Sequence, residues 1–173
     1  KAYRTFPPDK TVVAWTGGKD STTLLHLIRT AFNGRVPFPV MFNDSTMEFG
    51  EIYKFIKTLS KQWKLNLIVV PHLERDLEKF HKMKDPTKKK ELSRIMKVNV
   101  IKDFVKKNGV KAFIAGIRWD EHESRSRETY FSKRENHTRI HPLLHFTEKD
   151  IWDYIQKFKV PYVNLYDKGY RSI

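Results

Sequence analysis

Six consecutive residues, Thr16-Gly17-Gly18-Lys19-Asp20-Ser21, combine two glycines, a cation, a carboxylate and hydroxyls between an apolar run and a helical pattern. Glycines let successive backbone N–H groups turn toward one point, and a helix start adds partial positive charge there. The stretch therefore suits phosphate or another oxyanion. Lys19 supplies a mobile cation, and Ser21 and Thr22 supply hydroxyl donors. Asp20 leaves two roles open: helix N-cap, or a carboxylate that holds Mg²⁺ or orients Lys19. The loop is not a Walker P-loop, because Val13 stands where the first glycine belongs and Asp20 where Ser or Thr follows the lysine. Nor is it the dinucleotide fingerprint, which needs a third glycine.

A second cluster runs from Gly116 to Arg127. Gly116 lets the backbone pass close to a ligand. Arg118, Arg125 and Arg127 carry guanidinium forks matched to phosphate or sulfate, and Asp120, Glu121 and Glu123 are interleaved with them. Such interleaving fits arginine positioning or a metal site, with a salt-bridged surface loop as the plain alternative. Asn43-Asp44-Ser45-Thr46 forms a third polar cluster. His122, His137, His141 and His145 share no zinc-like spacing, so no metal site is assigned beyond Mg²⁺ at Asp20 or Asp44. His81 reads as a surface residue. Trp15, Trp119 and Trp152 are each able to stack on a base, but only Trp119 lies in a polar loop.

The elements that must position these groups follow from periodicity. Val12–Trp15 reads as a buried strand, 22–32 as a helix, Val40–Phe42 as a second strand and 49–63 as a second helix. Leu65–Val70 is a third strand. His81–Lys90, lysine-rich around Asp85-Pro86, reads as an exposed, mobile connection, with a helix following through Leu92 to Val105 and stopping at Asn108-Gly109. Ala112–Ile117 is a fourth strand and Arg139–Leu143 a fifth. Thr147 caps a last helix, with Asp150 placed to reciprocate. Continuous apolar strands alternating with helices predict a Rossmann-like three-layer α/β/α fold with a mostly five-stranded parallel sheet. All three polar clusters then fall at carboxyl ends of strands, where such sheets bind ligands.

Composition bounds the rest. At 173 residues the chain reads as a single domain, 1–173, and the start at Lys1 suggests a piece of a longer protein. Cysteine is absent, no run reaches membrane length and no signal peptide opens the chain, which predicts a cytoplasmic protein. The net charge of +14 favours polyanions, whether nucleic acid or small phosphate- or sulfate-rich substrates. A lysine-rich solvated surface is the bland alternative.

The loop resembles the PP-loop of the adenine nucleotide α-hydrolase-like families, with Thr16 replacing the first serine. Gly116-Ile117-Arg118 with Ser124-Arg125, His141-Pro142-Leu143-Leu144, Thr147 to Ile155, and the ending Pro161-Tyr162 through Leu165 to Ile173 complete a resemblance to the phosphoadenylyl-sulfate (PAPS) reductase family. The resemblance implies a PP-loop type fold and a site for ATP or for PAPS or adenylyl sulfate. Thr16, Gly17, Gly18, Lys19, Asp20 and Ser21 would meet the phosphate or sulfate groups. Asn43, Asp44 and Ser45 would lie near ribose and adenine, and Gly116 and Arg118 at the nucleotide. Arg125, Arg127, Lys168 and Arg171 would hold the substrate anion, with Lys19, Asp20, Arg118 and Arg125 as the catalytic set. The implied reaction is reduction of the sulfonucleotide to sulfite by a cysteine beyond residue 173, regenerated by a thioredoxin-like donor. The rival is ATP-dependent nucleotidyl transfer, as in the sulfate adenylyltransferase small subunit or FAD synthetase, because Lys19 and Asp20 are both present. Thiolation or phosphorothioation of nucleic acid is a further alternative. A nucleotide substrate and a homodimer are the expected partners, with nucleic acid less favoured, and no membrane or flavin is expected.

Overall fold

The structure is a computed structural model that describes residues 1–173. After a single turn of helix, α1 (Ala2–Thr5), the chain alternates strand and helix: β1 (Thr11–Ala14), α2 (Lys19–Ala31), β2 (Val40–Asp44), α3 (Gly50–Gln62), β3 (Leu67–Pro71). Two helices follow on the way back, α4 (Glu74–Lys82) and α5 (Pro86–Asn108), then β4 (Ala112–Ile114), the hairpin β5 (Phe131–Lys133) and β6 (Thr138–Ile140), and α6 (Glu148–Phe158). The six strands form one sheet in the order β3-β2-β1-β4-β6-β5. Every neighbouring pair is parallel except β5 with β6. The Rossmann-like α/β expectation holds, with an antiparallel edge strand added.

Alternation along the strands builds the two outer layers. Val13, Val40, Phe42, Ala112, Ile114 and Ile140 face one side, where α2, α3 and α6 bring Leu24, Leu25, Ile28, Ile52, Ile56, Ile151 and Ile155. Val12, Met41 and Phe113 face the other, against Val100, Phe104 and Val105 of α5. Each fully buried side chain of this size contributes about 1.5–3 kcal/mol by leaving water. The larger cluster therefore fixes α2, and with it the loop at its start.

Strand order reverses beside β1. Successive connections move outward to β2 and β3, then return across β1 to β4. Loops leaving the carboxyl ends of β1 and β4 consequently diverge and open a crevice between them. The first carries Thr16 to Lys19, the second Gly116 to Arg127, and β2 delivers Asn43 to Ser45 beside them.

Several local expectations change. The stretch His81–Lys90 is not an open connection: α4 runs through Lys82 and α5 already begins at Pro86. Asp85 starts that helix, its Oδ1 accepting from the Thr87 and Lys88 N–H groups at 2.9 and 3.1 Å, with Pro86 preset for the first helical position. Lys82 ends α4 and Lys88, Lys89 and Lys90 lie in the first turns of α5, which leaves Lys84 in the short connection between them. β3 begins at Leu67, not Leu65, and the expected fifth strand is Thr138–Ile140. The short strand Phe131–Lys133, with its polar sequence, gave no periodic signal. Helix α2 starts three residues before the expected Thr22.

Candidate functional site

The first turn of α2 is capped by Gly18, so Asp20 is not the N-cap. Lys19 and Asp20 already have helical backbone, and hydroxyls brace the turn instead. Ser21 Oγ accepts from Thr16 N–H at 3.2 Å and donates to the Gly18 carbonyl at 3.1 Å, and Thr16 Oγ1 accepts from Gly18 N–H at 3.2 Å. Trp15 is buried and donates from Nε1 to Thr22 Oγ1 at 3.0 Å, tying strand end to helix. Gly17 takes φ +82°, the left-handed region, with Ile52 and Ile56 of α3 packed beneath it.

Gly116 explains how β4 meets this turn. A Cβ there would lie 3.1 Å from the Asp20 carbonyl oxygen and 3.3 Å from Ser21 Cα. The close approach expected of this glycine is thus made to the backbone of α2's first turn. That contact sets the loop after β4 directly against the glycine loop.

Charged groups then form one connected set. Lys19 is 5% exposed; its Nζ donates to the Arg171 carbonyl at 3.0 Å and stands 3.6 Å from Asp20 Oδ2 and 3.4 Å from Glu148 Oε1. Its backbone N–H donates to Tyr166 Oη at 2.9 Å. Arg118, 4% exposed, pairs through Nη1 with Asp20 Oδ1 and donates from Nε to Asp120 Oδ1 at 2.8 Å. Glu121 accepts from Arg118 N–H at 3.0 Å and pairs with Arg125. Asp120 Oδ2 also accepts from Glu148 N–H at 2.9 Å, so the start of α6 is joined to the same loop. Glu148 receives Arg171 Nη2 at 2.8 Å, which together with Lys19 holds its carboxyl below the ordinary range. Burial raises the Tyr166 hydroxyl, partly offset by the Lys19 N–H.

Two adjoining cavities share Ala14, Thr16 and Ile173. One, about 260 Å³, is lined by Gly18, Lys19, Asp20, Gly116 and Arg125 among others. The other, about 170 Å³, is mainly apolar, with Met41, Phe42, Ile101 and Phe113 beside Asn43 and Glu48. A polar chamber rich in donors beside a smaller apolar one has the character of a site for a charged group attached to a flat, apolar-faced one.

The expected residues distribute unevenly. Thr16, Gly18, Lys19, Asp20, Ser21, Gly116 and Arg125 line the polar chamber, and Asn43 lines the apolar one. Gly17 lines neither chamber and faces Ile52 and Ile56 instead. Arg118 is behind the wall, held between Asp20 and Asp120. Asp44 Oδ1 accepts from Thr46 N–H at 2.8 Å and from Tyr53 Oη at 2.7 Å, and the Tyr53 hydroxyl is pushed up to about 12, mainly by burial and next by that bond. Ser45 is buried and donates to Glu48 at 2.8 Å. Lys168 reaches Glu51 at 2.9 Å and Arg171 reaches Glu148, so both belong to the segment folded over the site without lining the chambers. Arg127 is exposed on the loop and lines neither.

Asp20 is engaged by Lys19 and Arg118, Asp44 by Tyr53 and Thr46, and no group of three or more carboxylates or imidazoles converges anywhere in the chain. Glu148 and Tyr166 are the site residues that residue types alone did not single out. Each sits in a stretch legible for other reasons, a helix start and the chain's end. Trp119 does not face the chambers; its Nε1 donates to the Glu128 carbonyl at 2.9 Å. No helix is long and apolar enough to cross a membrane.

The sequence profile of the phosphoadenosine phosphosulfate reductase domain matches residues 10–173. Sulfate adenylyltransferase subunit 2 of Pseudomonas entomophila (strain L48) is 31% identical over 95% of this chain and 62% of its own length. The chain thus spans about 62% of the length of the curated relatives it matches. In structure it is similar to the PAPS reductase of Candida auris solved with phosphate, with a TM-score of 0.77, 21% identity, and 99% and 83% of the two chains covered. It is also similar to the FMN adenylyltransferase of Candida glabrata in complex with ATP, with a TM-score of 0.70, 19% identity, and 95% and 52% covered. At these identities the likeness to the solved structures is one of fold.

Proposed function

Because the chain belongs to the phosphoadenosine phosphosulfate reductase domain family, we propose that it binds ATP across the ends of β1, β2 and β4 and transfers the adenylyl group to a small oxyanion, sulfate above all. In that reading residues 1–173 are one nucleotide-binding domain of a longer cytoplasmic protein. One observation carries the proposal: an ammonium, Lys19, held at a glycine turn by exchangeable partners, beside a chamber of about 260 Å³ that adjoins a smaller apolar one. The base would occupy the apolar chamber and the phosphates the polar one.

In adenylyl transfer an acceptor oxygen attacks the α-phosphorus, the bond to the bridging oxygen breaks, and pyrophosphate departs with the electron pair. No covalent intermediate on the protein is required. The residues contribute by position and charge. The loop N–H groups and Lys19 meet the charge that grows on the leaving pyrophosphate, Lys19 exchanging the Arg171 carbonyl and Glu148 for phosphate oxygens. Arg118 acts on Asp20, fixing the carboxylate that keeps Lys19 aimed. Arg125 is the cation nearest the chamber from the opposite wall. Mg²⁺ would arrive with ATP, and Asp20 or Asp44 is the carboxylate that would hold it or its waters. The relatives' name is that of a subunit, so a second subunit is the proposed partner.

Reduction of adenylyl sulfate or PAPS is the second reading, favoured by the family's description and the likeness to the Candida auris enzyme. That chemistry requires a thiolate to attack sulfur, and these residues hold no cysteine. The thiol would come from beyond residue 173, with a thioredoxin-like donor regenerating it. Sulfate-dependent exchange of labelled pyrophosphate into ATP by the complete protein with its partner subunit, lost in Lys19→Ala, is the expected result. Sulfite release from adenylyl sulfate or PAPS with reduced thioredoxin, and no exchange, would replace transfer by reduction. Exchange driven by FMN instead of sulfate would keep the reaction and change the acceptor.

A further inference from the structure

Another cavity lies away from the glycine loop, between the C-terminal half of α5 and the β5–β6 hairpin. It measures about 340 Å³, and its walls carry Lys102, Lys106, Arg134, His137 and Arg139 against a single acid, Glu135. Thr138 pairs with Ala112, which pairs with Thr11, so the hairpin turn stands at the starts of these strands, on the opposite edge of the sheet from the loop.

Its cations are unequally satisfied. Arg134 pairs with Glu128. Lys102, Lys106 and Arg139 enter none of the chain's ion pairs. Arg139 is partly buried on β6, and its Nε is buried with no hydrogen-bond acceptor; His137 Nε2 is buried and unpartnered as well. Burial lowers both groups, with Arg139 and then Arg134 adding to the effect on His137. The Glu128 carboxylate acts on Arg139 only at longer range and without a direct ion pair; a half-buried guanidinium so placed is costly to keep, and a bound anion lowers that cost.

We propose that this cavity is a second anion site, separate from the nucleotide site, which takes a phosphate group through Arg139, Lys102, Lys106 and the His137 ring. The planar fork of Arg139 offers parallel donors to two oxygens, and the two lysines, one turn apart on α5, close over the third. The cavity backs onto the apolar chamber: Ile101 lines both, and the Phe113 ring packs edge-on against His137 at 6.4 Å. A free phosphate compound and a nucleic-acid backbone present the same group.

The His137 imidazole is a local reporter. Inorganic phosphate titrated into the full-length protein at fixed pH and ionic strength, against chloride, is expected to shift the His137 NMR signals saturably. The shift should persist in Lys19→Ala, which leaves this cavity intact. It should require about tenfold or more phosphate in the Lys102→Gln, Lys106→Gln double variant, whose changes are exposed and leave the melting temperature unaltered. A short single-stranded oligonucleotide that shifts His137 far below the phosphate concentration, with an affinity that falls as salt rises, assigns the group to nucleic acid. Equal potency assigns it to small phosphate compounds. An unmoved His137, or equal affinity in the double variant, overturns the site, whatever the outcome for ATP.

Discussion

Arg118 Nη1 pairs with Asp20 Oδ1, joining the segment that leaves β4 to the first turn of α2. Both sides of the strand-order reversal thus meet in one ion pair, with Asp20 turned also toward Lys19. Breaking such a pair from one side leaves a poorly solvated charge behind.

Replacing Arg118 by Ala is accordingly expected to cost about 2–4 kcal/mol of stability. Asp20→Asn costs less, because Arg118 keeps Asp120, Lys19 keeps Glu148 and the amide keeps the shape of the side chain. The two effects are coupled by about 1–3 kcal/mol in a double-mutant cycle, measured by urea denaturation. Additive losses would mean that the pair does not form in solution.

Gly116→Ala pushes a methyl group against the Asp20 carbonyl, which has no flexible end to yield. A loss of about 1–3 kcal/mol is expected, with weaker nucleotide binding as the first turn of α2 shifts. Gly50→Ala is the control, since nothing lies within 4 Å of a Cβ there. Melting temperature and ATP affinity check both.

Thr147→Ala removes a reciprocal cap, in which Thr147 Oγ1 accepts from Asp150 N–H at 3.1 Å and Asp150 Oδ2 accepts from Thr147 N–H at 2.8 Å. A loss of about 1 kcal/mol is expected. Glu148, the next residue, competes with phosphate for Lys19, so ATP affinity should not fall. A fall in affinity would show that Glu148 sets the pose of Lys19 in the nucleotide-bound state.

His141 is 1% exposed, and burial pushes its imidazole down to about 4, Arg139 and Arg134 adding to this and the Glu128 carboxylate opposing it. Folding therefore keeps the ring neutral, while the unfolded chain takes up a proton near its ordinary value of about 6.5. Stability from this residue is complete above that value and is lost as pH falls toward 4, by on the order of 3 kcal/mol. Denaturation between pH 7 and 4.5 should show the slope, and His141→Gln should reduce it. An identical slope in the variant would assign it to other groups, among them His72 and His137.

Much of this was legible before the structure. The glycine turn declared itself because strand, glycine pair and helix start are all local patterns. The interleaving of Asp120 and Glu121 with Arg118 and Arg125 was readable as arginine positioning, a metal site or a salt-bridged loop, and only the contacts with the two arginines choose among these. Glu148 and Tyr166 were not, because their roles depend on α6 and the last residues folding back onto Lys19. The apolar chamber was equally hidden, since Met41, Phe42, Ile101 and Phe113 look like ordinary core positions along the chain. The helix start at Asp85-Pro86 was masked by lysines, whose charge describes a solvated face and not a loop.

Calorimetric titration of ATP into the full-length protein tests the central claim most directly. One equivalent should bind, and Lys19→Ala should weaken it by about tenfold to a hundredfold, as expected for a lost charge-assisted contact. Absence of ATP binding, or the same affinity in wild type and Lys19→Ala, would contradict a nucleotide site at the loop from Thr16 to Ser21.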